Sequence, residues 1–186
     1  MKKFLPLLFA ALLGAVPALA QTPPPPVNHD FDFWLGNWAV TTPDGKPAGT
    51  NRIESIAGGY ALLENWTGDP AAGGGTGKSL NAFNPAKKQW QQFWVGSGSG
   101  VLELAGGLDA QGRMVLSGER TTHSGRVIDR ITWTPNADES VRQLWDESSD
   151  GGKTWQVVFD GHYVKRKAQE VSGSGTGLRA PFYMIW

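Results

Sequence analysis

The chain has 186 residues, 17 Lys and Arg against 17 Asp and Glu, and no cysteine. A balanced charge without a wide Lys/Arg cluster argues against nucleic acid or an anionic membrane surface as partner. The lack of cysteine excludes disulfides, thiolate metal sites and a thiol nucleophile.

MKKFLPLLFAALLGAVPALA opens with two lysines, continues as an apolar run and ends in Ala-x-Ala at Ala18 and Ala20. This pattern predicts a secretory signal peptide over 1–20, cut before Gln21. No later apolar run approaches the ~18 residues of a membrane span. The protein is therefore expected to be periplasmic or secreted, held together by its core alone. Residues 21–28 contain four consecutive prolines and read as a stiff spacer. The domain itself is expected over 29–167.

It begins with HDFDFWLGNWAV, in which Phe31, Phe33, Trp34 and Leu35 suit one short helical turn before Gly36. Trp38 and Val40 then start a strand. Further strands are expected at 51–56, 60–66, 78–83, 89–95, 101–105, 114–119, 126–134, 141–148 and 155–166. Their β-branched and aromatic residues alternate between turns such as PDGKPAG, NPAKK and DAQGR. No stretch shows a helical period. About ten short strands in sequential hairpins predict an all-β fold, an up-and-down antiparallel barrel, with a two-sheet sandwich as the alternative. Residues 168–186 form a Gly/Ser-containing tail ending in PFYMIW, which would either dock on the domain or stay free.

Alternation gives faces. Leu62, Glu64 and Trp66 share one face with Tyr60, and Trp90, Gln92 and Trp94 share another. Over 126–166, a turn centred on Asp138 sets Arg130 opposite Asp146 and Ile131 opposite Trp145. A second turn centred on Gly151 would set Arg142 opposite Asp160, Trp145 opposite Val157 and Gln143 opposite Phe159. Val127, Ile131, Trp133, Val141, Trp145, Trp155, Val157, Phe159 and Tyr163 then face inward. Arg130, Arg142, Asp146, Asp160 and His162 form an outer ladder of charge pairs. Asp129, Gln143 and Glu147 are polar residues with inward parity.

Several motifs weaken on inspection. Ser148, Asp150, Gly152, Thr154 and Trp155 spell SxDxGxTW, the Asp-box of sialidase-type propellers, but a single copy predicts only a hairpin turn. AGGGTGKS at 72–79 approaches a phosphate loop, yet a strand rather than a helix follows it. Asn65-Trp66-Thr67 fits a glycosylation pattern on a strand, and no serine sits in a GxSxG elbow. His29, His123 and His162 form no metal-ligand spacing.

Nine tryptophans remain. They either fill the barrel or line a cavity. Lining would assign Glu64, Trp66, Gln92, Trp94, Asp129, Trp133, Gln143, Trp145 and Tyr163 to a pocket for a small apolar or aromatic molecule. Glu64 or Asp129 would be the general base if the protein were an enzyme. An interaction protein acting through its surface or tail is a third reading. No cofactor is called for, and the oligomeric state is left open.

The stretches FDFWLGNW at 31–38, IAGGYALLENWTG at 56–68, GKSLNAFNPAKKQWQQFWV at 77–95 and RITWTP to FDGHYVKR at 130–166 resemble an exported bacterial group of uncharacterised function, the domain-of-unknown-function 1579 group. More loosely they are similar to lipocalin-like (calycin) barrels. The resemblance implies a ligand-holding barrel and carries no catalytic residue. FWLGNW and a last-strand histidine also resemble haem-binding barrels of the nitrobindin type, which would make His162 the haem ligand.

Overall fold

The computed structural model describes residues 23–98 and 100–166. The signal peptide and the terminal PFYMIW, read from the sequence, lie outside the described residues. Period-two alternation between buried and more exposed residues marks long stretches of the strands, because successive side chains leave a strand on opposite sides. Ten strands result: β1 Gly36–Thr41, β2 Pro47–Ile56, β3 Ala61–Gly68, β4 Thr76–Asn84, β5 Gln89–Gly96, β6 Val101–Leu108, β7 Met114–Thr122, β8 Gly125–Pro135, β9 Val141–Ser148 and β10 Gln156–Lys165. Each pairs antiparallel with the next, and β10 returns to β1 with Tyr163 opposite Val40. The barrel of the sequence reading is thus closed, and the sandwich is set aside.

Side chains cap the turns where the backbone alone cannot. Asp150 accepts from the amides of Lys153 and Thr154, both at 2.9 Å, and from the Thr154 hydroxyl. These bonds hold its carboxyl near 2. The Asp-box is therefore a hairpin turn here. AGGGTGKS likewise enters strand β4 and presents no helix N-terminus.

One end of the barrel is filled. Asp32–Trp34 makes a single 3-10 turn that pushes Phe31 and Trp34 into the opening, both fully buried. Phe31 stacks on Trp34 at 5.0 Å and meets Trp133 at 5.1 Å and Trp90 at 5.6 Å. Trp38 donates from Nε1 to the Trp34 carbonyl at 2.9 Å. Burying each such ring contributes roughly 1.5–3 kcal/mol, so this plug is a large share of the core. The described part of the proline-rich segment lies against the same end. Tyr60 donates to the Pro25 carbonyl at 2.7 Å, and Trp90 donates to Asn28 Oδ1 at 3.2 Å.

The register of the β8–β9 hairpin is the one read from the sequence, with Arg130 opposite Asp146 and Ile131 opposite Trp145. The β9–β10 register differs. Phe159 faces Trp145 and Gly161 faces Gln143, two residues on from the expected pairing: the turn already sets Gln156 opposite Glu147, one residue off, and a bulge between Val157 and Phe159 inserts one more. Upstream of the bulge the faces exchange. Val157, expected inside, is 65% exposed. Trp155, also expected inside, lies outside, its ring 3.6 Å from the Arg130 guanidinium. Arg142 still bonds Asp160, but diagonally, since its strand partner is His162.

Candidate functional site

Strands β3, β5 and β9 all run from the plugged end toward the other. Each carries an inward polar residue followed two positions later by tryptophan: Glu64 and Trp66, Gln92 and Trp94, Gln143 and Trp145. Shared direction stacks these pairs into layers. A polar belt lies above the plug, and an aromatic ring lies above the belt. Trp66, Trp94 and Trp145 are half-buried, whereas Glu64 and Gln92 are each 4% exposed.

Between belt and ring is a cavity of about 230 Å³. Seven of the nine residues read as a pocket wall line it: Glu64, Trp66, Gln92, Trp94, Gln143, Trp145 and Tyr163. Leu102, Ile131, Val158 and Phe159 complete the lining. Ile131 and Phe159 had inward parity in sequence. Val158 was hidden by the bulge, which no residue pattern announced.

Two glycines make room for the ring. A Cβ at Gly77 would sit 2.1 Å from the Trp94 indole, and one at Gly49 would sit 2.8 Å from that of Trp66. The indoles therefore lie flat against bare backbone and leave the barrel axis open. Trp66 and Phe159 meet edge to face at 5.9 Å and form one corner of the mouth.

The belt is a connected network. Glu64 accepts from Asn51 Nδ2 at 2.7 Å and from Ser79 Oγ at 2.6 Å. Asn81 donates to Ser79 Oγ at 2.8 Å, and Gln92 Nε2 donates to Asn81 Oδ1 at 2.8 Å. Across the barrel, Gln143 Oε1 accepts from Tyr163 at 2.6 Å and from Trp133 Nε1 at 3.1 Å. With its carbonyl doubly engaged, Gln143 has its amide N–H left for a ligand. Burial pushes the Glu64 carboxyl up to about 7, with the Ser79 and Asn51 bonds opposing the rise. Burial first, and then Glu64, raise the Tyr163 hydroxyl well above its usual range.

Two expected residues lie elsewhere. Trp133 is one layer below, inside the plug, and bonds to the belt at Gln143. Asp129 is 1% exposed and committed to other groups. It accepts from Arg120 Nε at 2.7 Å and from Trp145 Nε1 at 2.9 Å, while Arg120 also bridges to Glu147. Asp129 and Glu147 stand opposite one another, and Arg120 relieves their repulsion. Asp129 thus holds Trp145 in place and is not poised as a base. His162 projects from the outer wall into solvent, so it cannot ligate a haem inside the barrel. Among the described residues no group of His, Asp and Glu is arranged to hold a metal ion, and no helix is long and apolar enough to cross a membrane.

No protein-family model matches the chain, and the search of curated proteins finds no match.

Proposed function

We propose that the protein is an exported binding barrel that holds one small, largely apolar or aromatic molecule at its unplugged end, in the manner of the lipocalin-like group its sequence resembles. The observation that carries this reading is the cavity of about 230 Å³ with aromatic walls and a buried polar floor. Ligand pockets combine an apolar lining with a few placed polar groups in this way, and drug-sized ones run to roughly 300–1,000 Å³. The smaller volume points to a ligand of about one ring. The aromatic walls would stack on it, and Glu64, Gln92 and Gln143 would orient it.

Native mass spectrometry of protein purified gently from its own periplasm, against denatured protein, tests the reading. A reproducible added mass is expected, together with quenching of tryptophan fluorescence on titration with small aromatic molecules. Bare protein that no small molecule quenches would overturn it. A mature chain beginning at Gln21 would support export; an uncut cytoplasmic chain would remove it.

One observation favours a second reading. A carboxyl titrating near 7 at the floor of an apolar cavity suits proton transfer, so Glu64 would serve as general acid or base on a bound molecule. A small-molecule isomerase or hydrolase activity abolished by Glu64→Gln would support it. An activity that survives that substitution would assign the chemistry elsewhere.

A further inference from the structure

The open half of the barrel carries a sign. Three carboxylates, Glu64, Asp129 and Glu147, and one guanidinium, Arg120, belong to its inner face. Arg120 is engaged by Asp129 and Glu147 together. Glu64 has no ion-pair partner among the described residues. It meets Asn51 from β2 and Ser79 from β4, and its titratable neighbour across the barrel is Tyr163 on β10. The interior is therefore net negative with Glu64 ionised.

The network also dictates which way the belt amides point. Asn81 Nδ2 serves Ser79 Oγ and the Leu62 carbonyl, which turns Asn81 Oδ1 toward Gln92. Gln92 must answer with Nε2, leaving its own Oε1 buried and without a donor. Asn51 gives its Nδ2 to Glu64, and its Oδ1 is likewise unpartnered. Buried polar atoms are rarely left unsatisfied, so both oxygens are free to accept from a donor, and Gln92 belongs to the cavity lining. Glu64 lines the cavity too. Above them stand Trp66, Trp94, Trp145 and Phe159, and aromatic faces attract cations.

We propose that the cavity takes a small organic ammonium, a protonated amine on a one-ring or short aliphatic frame. Its N–H groups donate to the Glu64 carboxylate and to Gln92 Oε1, and its charge lies among the indole rings. This inference rests on the binding reading above and narrows it to one class of ligand.

Calorimetric titration with phenethylamine, phenethyl alcohol and 3-phenylpropanoate compares a cation, a neutral molecule and an anion of one shape. Glu64 is ionised above its pKa of about 7 and neutral below it. The amine, protonated throughout, is expected to bind about tenfold more tightly than the alcohol near pH 8, falling to about twofold near pH 5.5, with the anion weakest. Glu64→Gln is expected to remove the amine's advantage while still binding the alcohol, which shows an intact barrel. An alcohol that matches the amine near pH 8, or an advantage that survives Glu64→Gln, overturns the ammonium assignment and leaves the binding reading standing. If none of the three binds, the ammonium assignment falls, and the binding reading stands or falls on the native mass spectrum.

Discussion

The two ends of this barrel are built from the same residue types and do opposite things. At the plugged end Phe31, Trp34, Trp90 and Trp133 interlock with no exposed surface. At the other end Trp66, Trp94, Trp145 and Phe159 stand apart around an opening. Two features make the difference. A 3-10 turn supplies rings from outside the strands to close one end, and glycines beneath Trp66 and Trp94 draw the rings back at the other. Tryptophan count therefore says little about whether a barrel is filled. What matters is whether something enters along the axis.

The sharpest way to break this comparison is to remove one ring from each end. Trp133→Ala is expected to cost about 3–5 kcal/mol in denaturant unfolding, because it opens a cavity in a dry, packed cluster. Trp94→Ala should cost under about 2 kcal/mol, since its ring is already partly exposed, yet it should abolish small-molecule quenching. Equal losses would mean that the open end is as much core as the plug.

The polar belt between the ends should show itself through pH. In the unfolded chain Glu64 releases its proton around 4.5, and in the folded one around 7. Below about 4.5 both states hold the proton and there is no penalty. As pH rises to 7 the folded state retains a proton that the unfolded state loses, so stability falls, by up to about 3 kcal/mol in full. Glu64→Gln is then expected to unfold later in urea than the unaltered protein near pH 8 and together with it near pH 4. A constant difference across pH would mean that Glu64 is not isolated from water as the belt implies.

A smaller effect tests the retracted rings. Gly77→Ala sets a methyl against the Trp94 indole and is expected to cost about 1–3 kcal/mol as the ring moves toward the axis. Ligand quenching should weaken with it, read in the same titration. Smallest of all, Arg142→Ala on the outer wall removes a pair with Asp160 and should change stability by under about 1 kcal/mol.

Much of this was legible in residues. Alternation placed Leu62, Glu64 and Trp66 on one face, and Trp90, Gln92 and Trp94 on another. Opposite charges set Arg130 against Asp146 and so registered β8 on β9. The polar-then-tryptophan order repeated in β3, β5 and β9 was visible too, but it becomes a layer only when strand direction is known. Val158 escaped because a bulge needs no glycine or proline and leaves no mark in a run such as QVVFDG. Trp155 and Val157 were misassigned for the same reason, as everything before the bulge changes face. Asp129 and Glu64 were equivalent inward carboxyls in sequence. Arg120, about nine residues away along a different strand, separates their roles.

Sequence alone determined the all-β class, the strand count, the antiparallel order and most of the inward residues, since all of these follow from local alternation and turn chemistry. Tertiary structure decided which end of the barrel closes, where the cavity lies and which carboxylate is left without a cation. Those outcomes depend on where Phe31 and Trp34 come to rest, on a one-residue bulge in β10 and on the reach of Arg120. The first is a contact between segments far apart in the chain, and the other two turn on strand pairing and side-chain reach, which alternation does not encode.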